Sequence, residues 1–250
     1  MRDDTGIGGA RGRFPTTRLS AVEAAGSRDP GERDRGFAAV VAAYWKPVYK
    51  YVRLRWREDN EGAKDATQGF FARALEKDWF SGYDPRKGSF RTFLRTCLDG
   101  FLANERKAGR RLKRHPGEPL LSLDFESAEG ELAEHPLPGN KSPEDFFHGE
   151  FARAVFSSAL EELRHELAAR GSDLAFQVFE RYDIDPDPDD PPTYASLARA
   201  LGSTESRVTN ALHAARREFR RIVLERLRAL TGSDSEFREE ARRLLGRDPS

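Results

Sequence analysis

A chain of 250 residues has room for one large domain or two modest ones, and 38% apolar residues beside 34% charged ones fit small cores under a heavily charged surface, with helix favoured over sheet. The 42 acidic and 42 basic residues cancel, so no global field marks a nucleic-acid binder, although the cancellation hides segregated blocks. One cysteine, Cys97, excludes an internal disulfide and suits a reducing cytosol as a small core residue. The longest apolar run, Phe37 to Trp45, is far shorter than the ~20 residues of a membrane span. The opening Met1-Arg2-Asp3-Asp4 has no apolar signal core, so a soluble, cytoplasmic, all-α protein is expected.

Residues 1–35 read as a flexible tail, with one short helix expected from Thr17 to Ala25. Gly6, Gly8, Gly9 and Gly12 crowd together but follow no strand, which a phosphate-cradling loop requires. A first helical domain is expected over residues 36–114. Phe37, Val40, Val41, Tyr44, Val48, Tyr51 and Val52 recur at helical spacing, with Pro47 a candidate kink. A second helix, about Asn60 to Asp78, carries Ala63, Ala66, Thr67, Phe70, Phe71 and Ala74 on one arc. Glu61, Lys64, Asp65 and Gln68 lie on the opposite arc. The turn-rich loop Trp79 to Gly88 leads to a third helix that starts near Ser89 and ends in a basic tail through Arg114.

Residues 115–150 change character. Pro116, Pro119, Pro136, Pro138 and Pro143 interrupt them, and nine acids from Glu118 to Glu150 face Lys141 alone, so an acidic linker is expected. A second helical domain is expected over 151–231. Phe151, Val155, Ala159, Leu163 and Leu167 form one stripe, and a further helix spans about Ser172 to Tyr182. Asp183 to Pro192 is a loop by its Pro and Asp content, and helices follow over Tyr194–Leu201 and Glu205–Leu230. In the C-terminal extension, 232–250, an amphipathic helix with Phe237, Ala241, Leu244 and Leu245 on one side is expected to fold back or to bind a partner.

The strongest local signal is a helix-turn-helix over Thr193 to His213. Leu197 and Leu201 bury one face of a short helix, and small Ala198 admits a close crossing. Gly202 can end that helix in the left-handed conformation, and Thr204 can cap the next. Val208, Leu212, Ala215, Phe219 and Ile222 form the buried stripe of the second helix. Asn210, His213, Arg217 and Arg220 lie away from it, and Ser206 and Arg207 project from the first turn. Ser, Arg, Asn and His hydrogen-bond base edges, whereas Arg216, Arg217, Arg220 and Arg221 suit phosphates. The alternative is a helical hairpin with a solvated charged face.

The sequence carries no Walker-type glycine loop, His-Glu-x-x-His, Gly-x-Ser-x-Gly or cysteine pair, and its histidines are scattered at 115, 135, 148, 165 and 213. An enzyme is therefore not expected, nor a metal or other cofactor.

The stretch Ala63-Lys64-Asp65-Ala66-Thr67-Gln68-Gly69-Phe70-Phe71 resembles the second conserved region of bacterial RNA polymerase sigma factors. Tyr44 to Tyr51 resembles the helix before it, and Gly88 to Leu94, with the basic run that follows, resembles the helix that meets the promoter −10 element. Residues 193–221 resemble the region that reads the −35 element. Order and spacing are similar to the extracytoplasmic-function group of the sigma-70 family. Phe14-Pro15-Thr16-Thr17-Arg18 resembles openings in a divergent branch of that group.

The resemblance implies an all-α protein of two helical domains that binds core polymerase and promoter DNA, off the membrane. Glu61, Asp65 and Gln68 would dock on the clamp helices of the largest subunit, with the flap as a second contact. Trp79, Phe80 and Tyr83 would help to capture a flipped base, where stacking contributes roughly 1–3 kcal/mol each; the alternative is that they cap the core. Arg106, Lys107, Arg110, Arg111, Lys113 and Arg114 would track phosphates. The acidic linker would imitate nucleic acid among basic polymerase walls.

Two departures stand out: Lys64 and Gly69 replace the family's acids, which implies weaker docking that a partner, or a phosphate on Thr67, would restore. An anti-sigma factor or a kinase is the regulator the family leads one to expect. The competing functions are a stand-alone helix-turn-helix regulator and a degenerate sigma-like adaptor.

Overall fold

The computed structural model describes residues 20–107, 123–134 and 142–246. Among the described residues the chain forms helices and no strand. In chain order these are α1 (Ala21–Ala25), α2 (Pro30–Arg55), α3 (Asn60–Glu76), a 3-10 turn (Trp79–Gly82), α4 (Phe90–Lys107), α5 (Phe125–Glu134) and α6 (Pro143–Ala169). Then follow α7 (Asp173–Phe179), a π turn (Glu180–Ile184), α8 (Tyr194–Ala200), α9 (Glu205–Ala229) and α10 (Asp234–Leu245).

The helix starts follow from side chains that satisfy orphan backbone donors. Ser20 and Glu23 form a reciprocal capping box at α1. Asp29 accepts from the Glu32 amide at 2.8 Å, with Pro30 in the first helical position of α2. This corrects the expected tail over its described part, because residues 20–35 hold α1 and the first turns of α2. Val22 and Ala25 are buried, and α1 lies directly on α2 at Gly36. A Cβ at Gly36 would stand 2.4 Å from the Ala25 nitrogen, so only glycine admits the crossing.

The expected acidic linker is also corrected where it is described. Residues 125–134 are α5, and residues 143–150 are the first turns of α6. Pro143 starts α6 rather than breaking it: Ser142 accepts from the Asp145 amide at 3.0 Å, and the proline takes the position where no amide hydrogen is needed. Phe125 and Phe147 give the segment its apolar anchors, both buried. Pro47 likewise lies buried inside α2, which continues through it.

Helix α2 is the centre of the molecule, with α3, α5 and α6 packed around it. Tyr44 stacks on Phe151 of α6 at 5.1 Å, and Tyr51 meets Phe147 edge-on at 5.6 Å. Between them Lys50, 1% exposed, is held by Glu131 of α5 at 2.6 Å and Glu150 of α6 at 2.7 Å. A buried ammonium is tolerable only with such paired carboxylates. Glu129 of α5 takes Arg53 and the Tyr49 hydroxyl, each at 2.5 Å. The hydrogen bond from Arg53, and then that from Tyr49, hold its carboxyl below the usual carboxylate range. The acids of the presumed linker are thus the bonds that fasten α5 and α6 to α2. One continuous buried cluster runs from Val22 to Ala241, so among the described residues the two helical groups share a core.

Candidate nucleic-acid interface

Helix α8 opens with a capping box between Thr193 and Ser196. It closes in a Schellman turn: Gly202 has φ +58°, Ser203 N–H donates to Ala198 O at 2.8 Å, and Gly202 N–H donates to Arg199 O at 3.4 Å. Thr204 then caps α9 by accepting from the Arg207 amide at 3.3 Å. Val208, Leu212, Ala215, Ile222, Val223 and Leu227 are buried, and Phe219 packs between Phe156 and Phe179. The register this packing sets leaves Ser206, Arg207, Asn210, His213 and Arg217 exposed along the first four turns of α9. The arrangement can present hydrogen-bonding side chains to a groove from the N-terminal end of a helix.

The arginines expected on phosphates divide. Arg216 is half-buried in a bidentate pair with Asp183, both bonds 2.7 Å, and lies over the Tyr182 ring. Arg221 pairs with Glu218, Glu225 and Glu166, which hold its guanidinium above the usual range. These two brace the helix, whereas Arg217 is exposed. Arg220 is partly exposed.

The aromatics before α4 have three different fates. Phe80, 3% exposed, stacks on Phe37 at 5.3 Å and meets Phe90 edge-on, so it is a core residue and not a platform for a base. Trp79 is half-buried against Phe70 and Phe101. Tyr83 lies on Phe90 and Phe93, and its hydroxyl donates to Glu236 of α10 at 2.9 Å. Arg106 at the end of α4 turns back onto the Trp56 ring at 4.6 Å and donates to the Trp56 carbonyl at 2.5 Å. Lys107 is exposed. Arg110, Arg111, Lys113 and Arg114 lie outside the described residues.

On α3, Glu61 is exposed and pairs with Lys64 at 2.9 Å, while Asp65 and Gln68 are partly exposed beside it. Thr67 is fully buried and its hydroxyl donates to the Ala63 carbonyl at 2.7 Å. A kinase has no access to it in this packing, which corrects the expectation of a phosphate there. Lys64 also feels Glu129 of α5.

No protein-family model, curated protein or solved structure matches the chain. Among the described residues no group of three or more His, Cys, Asp or Glu is placed to hold a metal ion, and no helix is long and apolar enough to cross a membrane.

Sequence reasoning missed two arrangements. One is Lys50 with its paired glutamates; a lysine between the apolar Tyr49 and Tyr51 was the available signal. The other is the seat of α10. Glu236 and Glu240, four residues apart on one face of α10, are 8% and 4% exposed against α4 and the loop before it.

Proposed function

We propose that the chain is a sigma factor: it binds core RNA polymerase and directs promoter recognition, DNA melting and transcription initiation. The observation that carries this is the helix-turn-helix of α8 and α9, with Ser206, Arg207, Asn210, His213 and Arg217 exposed along the first turns of the second helix. Arg207 has the chemistry to read guanine and Asn210 to read adenine in a major groove, and Arg217 that to hold a phosphate. In support, Asp65 and Gln68 lie with Glu61 on the outer arc of α3, where the family's docking residues fall. On this reading that arc meets the clamp helices, the α9 domain reaches the flap and the −35 element, and Trp79 and Tyr83 face the melted −10 strand. The protein works in the cytoplasm without a cofactor.

The test is transcription from genomic DNA fragments by sigma-free core polymerase with the purified protein added. Discrete starts that share −35 and −10 elements are expected. Polymerase binding without transcripts would replace the proposal with an adaptor, and no polymerase binding would replace it with a stand-alone helix-turn-helix regulator.

A further inference from the structure

The C-terminal helix sits on the surface that the sigma reading gives to single-stranded DNA, and it is attached in an unusual way. One carboxylate oxygen of Glu236 accepts from the Phe90 amide at 2.7 Å, at the start of α4. The other accepts from the Tyr83 hydroxyl at 2.9 Å and the Gly232 amide at 2.8 Å. Glu240 pairs with Arg91 at 2.7 Å, and Arg91 itself lies against Phe151, 8% exposed. Gly232 lets the chain pass over the tyrosine, since a Cβ there would stand 2.5 Å from the Tyr83 ring.

The apolar part of the attachment is slight. Ala241 is fully buried, whereas Phe237, Leu244 and Leu245 are only partly covered. Beyond Ala241 and the two carboxylates, α10 is held by Asp234 on Arg228 and by the Arg228 guanidinium over the Phe237 ring at 4.4 Å, so it gains little from apolar burial. Its acids recover full hydration when it lifts, which places it at the low-stability end of the molecule. The donors it occupies, a helix N-terminal amide, a guanidinium and a phenol, are ones that a phosphodiester also satisfies.

We propose that α10 is an autoinhibitory strap: in the isolated protein it closes the α4 and Tyr83 surface, and single-stranded DNA must displace it to bind there. The proposal rests on the sigma reading for the identity of the competitor. A closed majority state weakens apparent affinity by the fraction of molecules that are open.

The probe is a fluorescein-labelled single-stranded oligothymidine, titrated by anisotropy against the full chain and two opened variants. Glu236→Gln with Glu240→Gln removes the ionic attachment. Ala241→Asp places a charge in the one fully buried apolar contact. Glu161→Gln with Glu239→Gln makes the same charge change as the first variant on exposed positions.

Both opened variants are expected to bind about tenfold more tightly than wild type, and the exposed-charge control to change by less than about twofold. Hydrogen exchange is expected to show α10 unprotected in the opened variants, and in wild type once the oligonucleotide is in excess. Released α10 with no gain in affinity would overturn the strap, as would α10 protected in every variant and indifferent to DNA. Copurification with core polymerase is scored separately: its failure removes the sigma reading, while the strap stands or falls on the anisotropy and exchange results.

Discussion

The exposed face of α9 and the surface before α4 carry similar chemistry, yet one is bare and the other is covered. Both offer arginine and hydrogen-bonding side chains beside a helix N-terminus. On α9 a four-residue turn and an apolar stripe decide which residues face outward, and that pattern lies within about two dozen neighbouring residues. Around α2 and α4 the outcome depends on carboxylates from distant parts of the chain, Glu131 and Glu150 on Lys50 and Glu236 and Glu240 on the α4 end. The difference teaches that a motif can be read locally while its accessibility cannot.

The sharpest way to test that contrast is to remove one residue from each region. Lys50→Met takes one partner from Glu150, 6% exposed, and one from Glu131. The expected loss is about 3 kcal/mol, at the low end for a broken buried ion pair because Arg153 and Lys46 remain beside the two acids. Asn210→Ala on the bare face should change stability by no more than about 0.5 kcal/mol. Urea denaturation measures both. Equal losses would mean that the carboxylates do not fasten the covered region.

A smaller effect is expected from pH. His148 of α6 is held down to about 4 from an ordinary 6.5, first by burial and then by the charges of Arg91 and Arg243, which outweigh Glu240 and Asp145. Its Nδ1 atom is buried without a partner. The unfolded chain therefore takes up a proton on this residue below about 6.5 and the folded chain does not until about 4. Stability falls as pH drops through that window. Because the ring is only half-buried, the loss between about pH 7 and about pH 5 should be about 1 kcal/mol. His148→Gln should remove that part of the slope. An unchanged slope in the variant would show that the junction of α4, α6 and α10 does not resist protonation.

How far the sequence reached follows the same division. The helix-turn-helix, the α3 arcs and the amphipathic α10 were legible because spacing, caps and Gly202 act within a few residues. The segment from 115 to 150 was misjudged, where it is described, because proline and acid content mark a linker only if the acids lack partners. Glu129, Glu131 and Glu150 have theirs 76 to 100 residues away in sequence. Phe80 stood open between a base platform and a cap on the core for a related reason: a turn residue can be the lid of a core, and only Phe37 and Phe90 decide it. Arg216 was read as a phosphate contact because its partner, Asp183, was expected in a loop and instead lies in the π turn after α7, whose course the sequence does not give.

The smallest effect separates Arg216 from Arg217, which are adjacent in sequence. Arg217 is exposed on the bare face of α9, whereas Arg216 already satisfies Asp183 with both of its parallel donors. If α9 lies on duplex DNA, a phosphate contact through Arg217 displaces a counterion, and Arg217→Ala should lower the slope of log affinity against log salt by about one. Arg216→Ala should leave that slope nearly unchanged and instead lower stability by about 1 kcal/mol, since a bidentate pair is lost. Binding to promoter fragments at several salt concentrations, with urea denaturation of the same proteins, resolves the two. An altered salt slope for Arg216→Ala would mean that the Asp183 pair opens on DNA. The contrast between bare and braced arginines would then hold only for the free protein.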